Sequence, residues 1–146
     1  MDNNDMLNEK AMLETIKALY DMAGTAAQNA YAPFSNFKVG AALLAVSGKI
    51  YTGVNIENSS YGATICAERT AFAKAISEGE REFVAIAVAA PMEEEPTEAV
   101  PCGICRQFMY EFSPEIYVIT GKSRDELHFR SLSELLPLGF GLKSEE

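Results

Sequence analysis

The chain lacks any apolar run of the roughly 18 residues that a membrane-spanning helix needs. Its first five residues are acidic and lack the basic region and apolar core of a secretory signal peptide. From these two absences we expect a cytoplasmic protein with no membrane partner. A length of 146 residues suits one domain that buries a substantial core, so we expect a single domain over residues 1–146.

Basic side chains are scarce as well. The chain has 12 Lys and Arg residues against 21 Asp and Glu residues, and its formal net charge is −9. Binding to a phosphate backbone depends on neutralisation by Lys and Arg, and no basic or aromatic-interleaved face is evident. The composition therefore disfavours nucleic acid as partner or as substrate for editing, and it is compatible with a small neutral molecule.

Cysteine and histidine are rare, with three residues and one residue respectively. All three cysteines belong to two short motifs, Cys66-x-Glu68 and Pro101-Cys102-x-x-Cys105. An odd number of cysteines and a Cys-x-x-Cys pair in a reducing compartment favour metal binding or catalysis over disulfides. Three thiolates fill three corners of a tetrahedral zinc and leave the fourth for water, which is the arrangement of catalytic zinc sites. Glu68 could then move the proton of that water.

Hydrophobic periodicity predicts an alternation of helices and strands. The predicted helices cover residues 7–27, 66–78 and 102–111, followed by a short helix capped by Ser131 with Glu134. The predicted strands cover residues 39–46, 49–54, 83–90, 115–120 and 127–130. The first two strands should form an antiparallel hairpin, and Gly121-Lys122 is predicted to be a turn. The acidic, proline-containing stretch 91–98 is predicted to be a solvated loop without chemistry.

These elements describe a layered α/β domain with a central mixed sheet of about five strands covered by helices. Both cysteine motifs lie where the chain enters a predicted helix, and helix N-termini favour thiolates over thiols. Cys102 and Cys105 lie on one face of a first helical turn, so both sulfurs can bind one ion at about 2.3 Å. Cys66 and Glu68 cannot share a side of a helix. We therefore predict that a helix begins within a residue or two of Cys66, where Glu68 can face the bound water.

Arg69 is the candidate for balancing the charge of this site. A zinc ion with three thiolates carries a net charge of about −1, which makes its water harder to ionise. The guanidinium of Arg69 can donate to the sulfurs without binding the metal itself. The alternative is that Arg69 is an ordinary exposed arginine on a helix.

Other interpretations of the cysteines remain open at this point. Cys102 and Cys105 alone fit a thioredoxin-like redox pair, which leaves Cys66 and Glu68 unexplained. A closed structural zinc site needs a fourth ligand, and the only histidine, His128, lies in a predicted strand far along the chain. A non-catalytic zinc or thiol-redox module, or inert buried cysteines, are therefore the alternatives to a catalytic site.

The chain resembles a known family in more than its cysteines. The matching segments, in family order, are residues 31–42, 53–58, 61–71, 101–107 and 134–137. With them the chain resembles the small zinc-dependent cytidine deaminases of pyrimidine salvage, the free-nucleoside branch of the cytidine/deoxycytidylate deaminase family. The zinc-deaminase signature is His or Cys, one residue, Glu, and then Pro-Cys-x-x-Cys, and this sequence fits its three-cysteine form.

The resemblance implies a fold, an activity and an assembly. The fold is the three-layer α/β/α cytidine deaminase-like fold. The reaction is the hydrolytic deamination of cytidine and deoxycytidine to uridine and deoxyuridine, with release of ammonia. One Zn²⁺ per subunit, bound by Cys66, Cys102 and Cys105, activates a water that attacks C4, while Glu68 carries protons to N3 and to the departing amine. The expected assembly is a homotetramer with active sites shared between subunits.

The resemblance also assigns residues to the nucleoside. Asn55 and Glu57 should bind the ribose hydroxyls, and Ala67 should also contact the substrate. Phe37 should pack against the pyrimidine, although the residue alone would be taken for core. Tyr61 and Phe140 resemble residues that reach the nucleoside from neighbouring subunits. The alternative within the same fold is deamination of another aminated pyrimidine, such as a blasticidin-type nucleoside, for which the pair Asn55 and Glu57 would be unnecessary.

Overall fold

The computed structural model describes residues 3–142. The first two residues of the acidic N-terminus, and residues 143–146 at the other end of the expected domain, lie outside that range. Within residues 3–142, no helix combines the length and the apolar character that a bilayer crossing requires.

Four helices and five strands make up the described chain, and each corresponds to a predicted element. The helices are α1 (Asn3–Ala27), α2 (Ala67–Ser77), α3 (Gly103–Phe112) and α4 (Leu132–Leu135), with a 3-10 turn at Tyr61–Ala63. The strands are β1 (Gly40–Ala45), β2 (Ile50–Val54), β3 (Phe83–Ala89), β4 (Tyr117–Ser123) and β5 (Glu126–Ser131). The capping box of Ser131 and Glu134 begins α4 as predicted.

The strands form one five-stranded sheet in the order β2-β1-β3-β4-β5. The pairing of β3 with β4 is parallel, and the other three pairings are antiparallel. The predicted hairpin of β1 and β2 is present, and its turn includes Gly48 at φ 90°, a left-handed conformation that favours glycine. The prediction of a mixed sheet of about five strands is therefore confirmed.

Helices cover both faces of this sheet. On one face, α1 packs against alternate residues of β1, β3 and β4. On the other face, α2, α3 and α4 enclose the larger part of the core with the intervening residues of the same strands. Because β1 is buried on both faces, its sequence is a continuous apolar run and not an alternating one. The three-layer α/β/α architecture is thereby confirmed.

Two glycines set the distance between the sheet and its helices. A Cβ at Gly53 on β2 would overlap the backbone of Ala67 and Ala71 on α2. A Cβ at Gly40 on β1 would overlap the backbone of α1 in the same way. Glycine in a strand marks such close approaches of backbone to backbone. The first turn of α2, which carries one cysteine motif, is thus held directly against β2.

The predicted turn at Gly121-Lys122 was wrong. Both residues lie within β4, and the chain turns at Arg124 and Asp125. A Cβ at Gly121 would overlap the carbonyl oxygen of Glu126 on β5, so this glycine permits a close contact between two strands.

Candidate active site

The two cysteine motifs meet at the starts of two helices. Cys66 is the N-cap residue of α2 and Cys102 is the N-cap residue of α3, both with extended backbone conformations. The prediction that a helix begins within two residues of Cys66 is confirmed. Helix N-termini carry unpaired N–H groups and a partial positive charge, so both helix ends stabilise negative charge on the sulfurs.

The sulfurs of Cys66, Cys102 and Cys105 lie within 4.8 Å of one another. The Sγ atoms of Cys66 and Cys102 are 3.8 Å apart. Two sulfurs that each lie about 2.3 Å from a tetrahedral zinc are themselves about 3.8 Å apart, so this spacing fits the ion. Cys105 is buried whereas Cys102 is exposed, so the cluster opens to solvent on one side.

Arg69 connects two of the three sulfurs. Its Nε donates to Cys105 Sγ at 3.4 Å, and its Nη2 donates to Cys66 Sγ at 3.5 Å. Hydrogen bonds from the Cys105 thiol and from Arg69 hold the pKa of Cys66 below that of an ordinary thiol. The alternative of an ordinary exposed arginine is wrong, because Arg69 is partly buried and both nitrogens face the cluster. The planar guanidinium suits this double contact better than the ammonium of lysine would.

Glu68 lies in the first turn of α2 and is 3% exposed. Burial raises the pKa of its carboxyl group, and the adjacent sulfur of Cys66 raises this pKa further. A raised pKa makes the carboxylate a stronger base, as suits a group that takes up a proton and later returns it. Its position beside the sulfurs suits proton transfer at that point.

A cavity of about 330 Å³ adjoins the cluster, which is the size of a small-molecule site. Its wall contains Glu68 and two of the cysteines, Cys66 and Cys102. The predicted substrate residues in the same wall are Phe37, Asn55, Glu57 and Ala67. The fold thus gathers the first turn of α2, the loop after β2, the segment before β1 and the chain just before α3 around one space.

Asn55 and Glu57 hold the loop that carries Phe37. The Oδ1 of Asn55 accepts from Val39 N at 2.8 Å, and its Nδ2 donates to Phe37 O at 2.7 Å. The Oε1 of Glu57 accepts from the backbone N–H groups of Phe34 at 2.9 Å and Ser35 at 3.2 Å. Hydrogen bonds from the Ser35 side chain and from these N–H groups lower the pKa of Glu57, so its carboxylate is ionised at neutral pH. Both side chains therefore order the cavity wall.

Tyr61 and Phe140 lie away from the cavity in the described part of this single chain. Tyr61 is 85% exposed and Phe140 is 64% exposed. The carbonyl of Phe140 accepts a hydrogen bond from Gln107 Nε2 at 3.1 Å, which ties the C-terminal segment to α3. One copy of the chain does not bring these two aromatic rings to the sulfur cluster.

Sequence reasoning missed part of the cavity wall. The additional residues are Val39, Thr64, Ile65, Val88, Glu98, Ala99 and Val100. Residues 91–96 are exposed, as predicted for a solvated loop, but Glu98 at the end of that stretch is not. The available signal was its position four residues before Cys102, at the approach to a metal-binding motif.

Glu98 is anchored to the sheet by three donors. Its Oε1 accepts from Thr120 Oγ1 at 2.6 Å, from His128 Nδ1 at 2.8 Å and from Arg130 Nη1 at 3.1 Å. The hydrogen bond from Thr120, with those from His128 and Arg130, lowers the pKa of Glu98 to about 2. The only histidine thus contacts a carboxylate outside the sulfur cluster, and the interpretation of His128 as a fourth zinc ligand is wrong.

The charged side chains that line the cavity directly are acidic. Three carboxylates, those of Glu57, Glu68 and Glu98, line it. Among the described residues that line it there is neither Lys nor Arg. A wall of this kind repels phosphate and accepts a neutral polar molecule.

The amino-acid sequence is similar to a known family and to known proteins. A family model described as the cytidine and deoxycytidylate deaminase zinc-binding region matches residues 13–120. A probable cytidine deaminase of Dictyostelium discoideum is 47% identical over 91% of this chain and 86% of its own length. A cytidine deaminase of Halalkalibacterium halodurans is 49% identical over 79% of this chain and 86% of its own length.

Structural comparison agrees with the sequence comparison. The crystal structure of a cytidine deaminase from Burkholderia pseudomallei matches with a TM-score of 0.77 and 44% sequence identity, over 84% of this chain and 97% of that one. A blasticidin-S deaminase of Bacillus cereus is more distant, at 32% identity over 70% of this chain and 76% of its own length.

Proposed function

Because this chain belongs to the cytidine and deoxycytidylate deaminase family, it is a zinc-dependent hydrolase that deaminates cytidine, and we propose how its own residues carry out that reaction. The proposal rests on one observation. The wall of one cavity contains the buried carboxyl group of Glu68, and beside it lie the cysteine sulfurs, whose spacing fits a zinc ion. A non-catalytic zinc or redox module would leave this carboxyl group without a role.

Cys66, Cys102 and Cys105 hold one Zn²⁺ per subunit in this proposal. When bound, zinc lowers the pKa of a water molecule, so that the water becomes a nucleophile at neutral pH. Arg69 offsets the negative charge of the three sulfurs through its hydrogen bonds to Cys66 and Cys105. The N-termini of α2 and α3 act in the same direction.

Glu68 is the proton carrier. It accepts the proton of the attacking water as the oxygen bonds to C4 of the cytosine ring. It then donates a proton to N3 and assists proton transfer to the amine, which leaves as ammonia. Cytidine and water are converted to uridine and ammonia, so every atom of the two reactants appears in the products. The raised pKa of Glu68 supports a carboxyl group that both takes and returns a proton.

The remaining wall residues bind the nucleoside in this proposal. Phe37 packs against the pyrimidine ring, Ala67 contacts it, and Asn55 and Glu57 hydrogen-bond to the sugar. The ionised carboxylate of Glu57 is a strong acceptor for a sugar hydroxyl. Deoxycytidine keeps the 3′-hydroxyl and is a substrate as well. The three carboxylates support a free nucleoside, without phosphate, as the ligand.

We also propose that the protein acts in the cytoplasm, in pyrimidine salvage, as one deaminase domain over residues 1–146. The family match over residues 13–120 supports the single domain. The need to keep three unpaired cysteines reduced supports a reducing compartment. Recovery from a secreted fraction, or two separate unfolding transitions, would contradict these assignments.

Replacing Glu68 by Gln tests the proton carrier. We expect Glu68→Gln to bind zinc and cytidine but to lose about 10³-fold in kcat, because an amide cannot accept the proton. The measurement is the ultraviolet change on conversion of cytidine to uridine, together with zinc content. The matched control is Glu94→Gln, which removes the same charge from an exposed loop position. Turnover close to that of the parent would refute the assignment of Glu68.

Replacing Arg69 by Ala tests the charge balance at the sulfurs. We expect Arg69→Ala to retain about one zinc per subunit and to lose 10- to 100-fold in kcat, roughly the range for partners of metal ligands. Zinc is measured by atomic absorption, and Arg124→Ala on the exposed surface is the control. If turnover is unchanged, the two helix N-termini stabilise the site without Arg69.

Replacing Glu57 by Gln tests the sugar contact. Gln keeps an oxygen that can accept from Phe34 and Ser35, so the loop stays ordered while the charge is lost. We expect the KM for cytidine to rise about 10-fold, the equivalent of roughly 1.4 kcal/mol, with a smaller change in kcat. An unchanged KM would favour a substrate that is recognised without Asn55 and Glu57, such as a blasticidin-type nucleoside.

We propose a homotetramer in which Tyr61 and Phe140 reach the cavities of neighbouring subunits. The high exposure of both rings in one chain supports this. We expect light scattering to give four times the 15.9 kDa of one chain. We also expect Tyr61→Ala to raise the KM for cytidine. A fully active monomer would contradict the shared site.

A further inference from the structure

The segment from Glu98 to Cys102 forms one wall of the cavity. Ala99 and Val100 line the cavity between these two residues. The preceding residues 91–96 are exposed and form a loop that the isolated bridge between Ala90 and Thr97 closes. The segment must therefore be fixed by contacts of its own if it is to hold Cys102 in place.

Both ends of this segment are attached to the core. At its start, the three donors on the Oε1 of Glu98 come from β4 and β5. The Nη1 of Arg130 also donates to Thr120 Oγ1 at 3.2 Å, so the donors form a network. At its end, Arg106 Nε donates to Pro101 O at 2.8 Å, and Arg106 Nη1 donates to Leu135 O at 2.6 Å. Charge-assisted hydrogen bonds of this kind are stronger than neutral ones.

We propose that Glu98 is a positioning residue for the metal-binding turn, which it holds against β4 and β5 through Thr120, His128 and Arg130. This inference rests on the proposed function, because it concerns the same cavity and the same zinc ligands. Cys102 is the most exposed of the three cysteines, so its position depends on its backbone more than on surrounding side chains. Loss of the Glu98 anchor therefore loosens the zinc site and the wall beside the nucleoside together.

The test uses the zinc-loaded full chain and two variants that break the network from opposite sides. Glu98→Ala removes the acceptor, and Thr120→Val removes a buried donor with little change in shape. We expect each variant to release zinc to a chelator about 10-fold faster than the parent and to raise the KM for cytidine by a similar factor. We expect zinc release and KM in the double variant to change no more than in Glu98→Ala, because both substitutions remove the same interaction.

Matched controls separate this role from general destabilisation. Thr120→Ser keeps the hydroxyl group and should restore the zinc-release rate of the parent. Glu93→Ala removes an exposed carboxylate from the same loop and should change neither measurement. Thermal unfolding of each variant, at the assay pH, establishes that it is folded at the assay temperature.

Two results would overturn the proposal. If Glu98→Ala changes the KM but not zinc release, while Thr120→Val leaves both at parent values, Glu98 acts on the substrate directly. If the effects of Glu98→Ala and Thr120→Val multiply, the two residues act independently. Zinc release is measured without substrate, so it decides the role of Glu98 even if the proposed binding of cytidine fails.

Discussion

The convergence of two helix N-termini is the constraint on which the rest of this molecule depends. Cys66 and Cys102 are the N-cap residues of α2 and α3, so the sulfurs meet only if both helices start at the same place. Gly53 lets the first turn of α2 lie against β2, and the hydrogen bonds of Arg106 fix the chain just before α3. The helix ends then favour negative charge where three thiolates are needed. The sheet thus fixes the positions and directions of α2 and α3.

Local patterns were sufficient to predict the elements and the centre of the site. The long helices are marked by a helical hydrophobic period, α4 by its capping box, and β1 by an apolar run that reflects burial on both faces. Cys102 and Cys105 stand one helical turn apart, and the motif around Cys66 required a helix start there. These inferences use residues that are close in sequence, so no knowledge of the tertiary fold was needed. The family resemblance added the residues of the nucleoside site, such as Phe37 and Asn55, which look like core and strand-end residues by themselves.

Features that depend on distant contacts could not be predicted in this way. The partners of Glu98 lie 22 to 32 positions further along the chain, and its position four residues before Cys102 does not identify them. Gly121 reads locally as a turn residue, because the close contact that requires a glycine is made with the backbone of another strand. Tyr61 and Phe140 do not line the cavity of the single described chain, and their assignment to the nucleoside rests on the family resemblance. For Glu98 and Gly121 the deciding contact is set by strand pairing.

The sheet also divides the molecule into a catalytic side and a side that only supports it. Of the residues described for α1, none lines the active cavity, and this helix packs on the opposite face from α2 and α3. Within one chain, α1 therefore influences the cavity through the packing of the sheet. The outer surface of α1, where Met12 and Leu13 are exposed, lies on the side of the sheet away from the cavity. The same division makes this helix the natural place to attach a label or a surface for immobilising the enzyme.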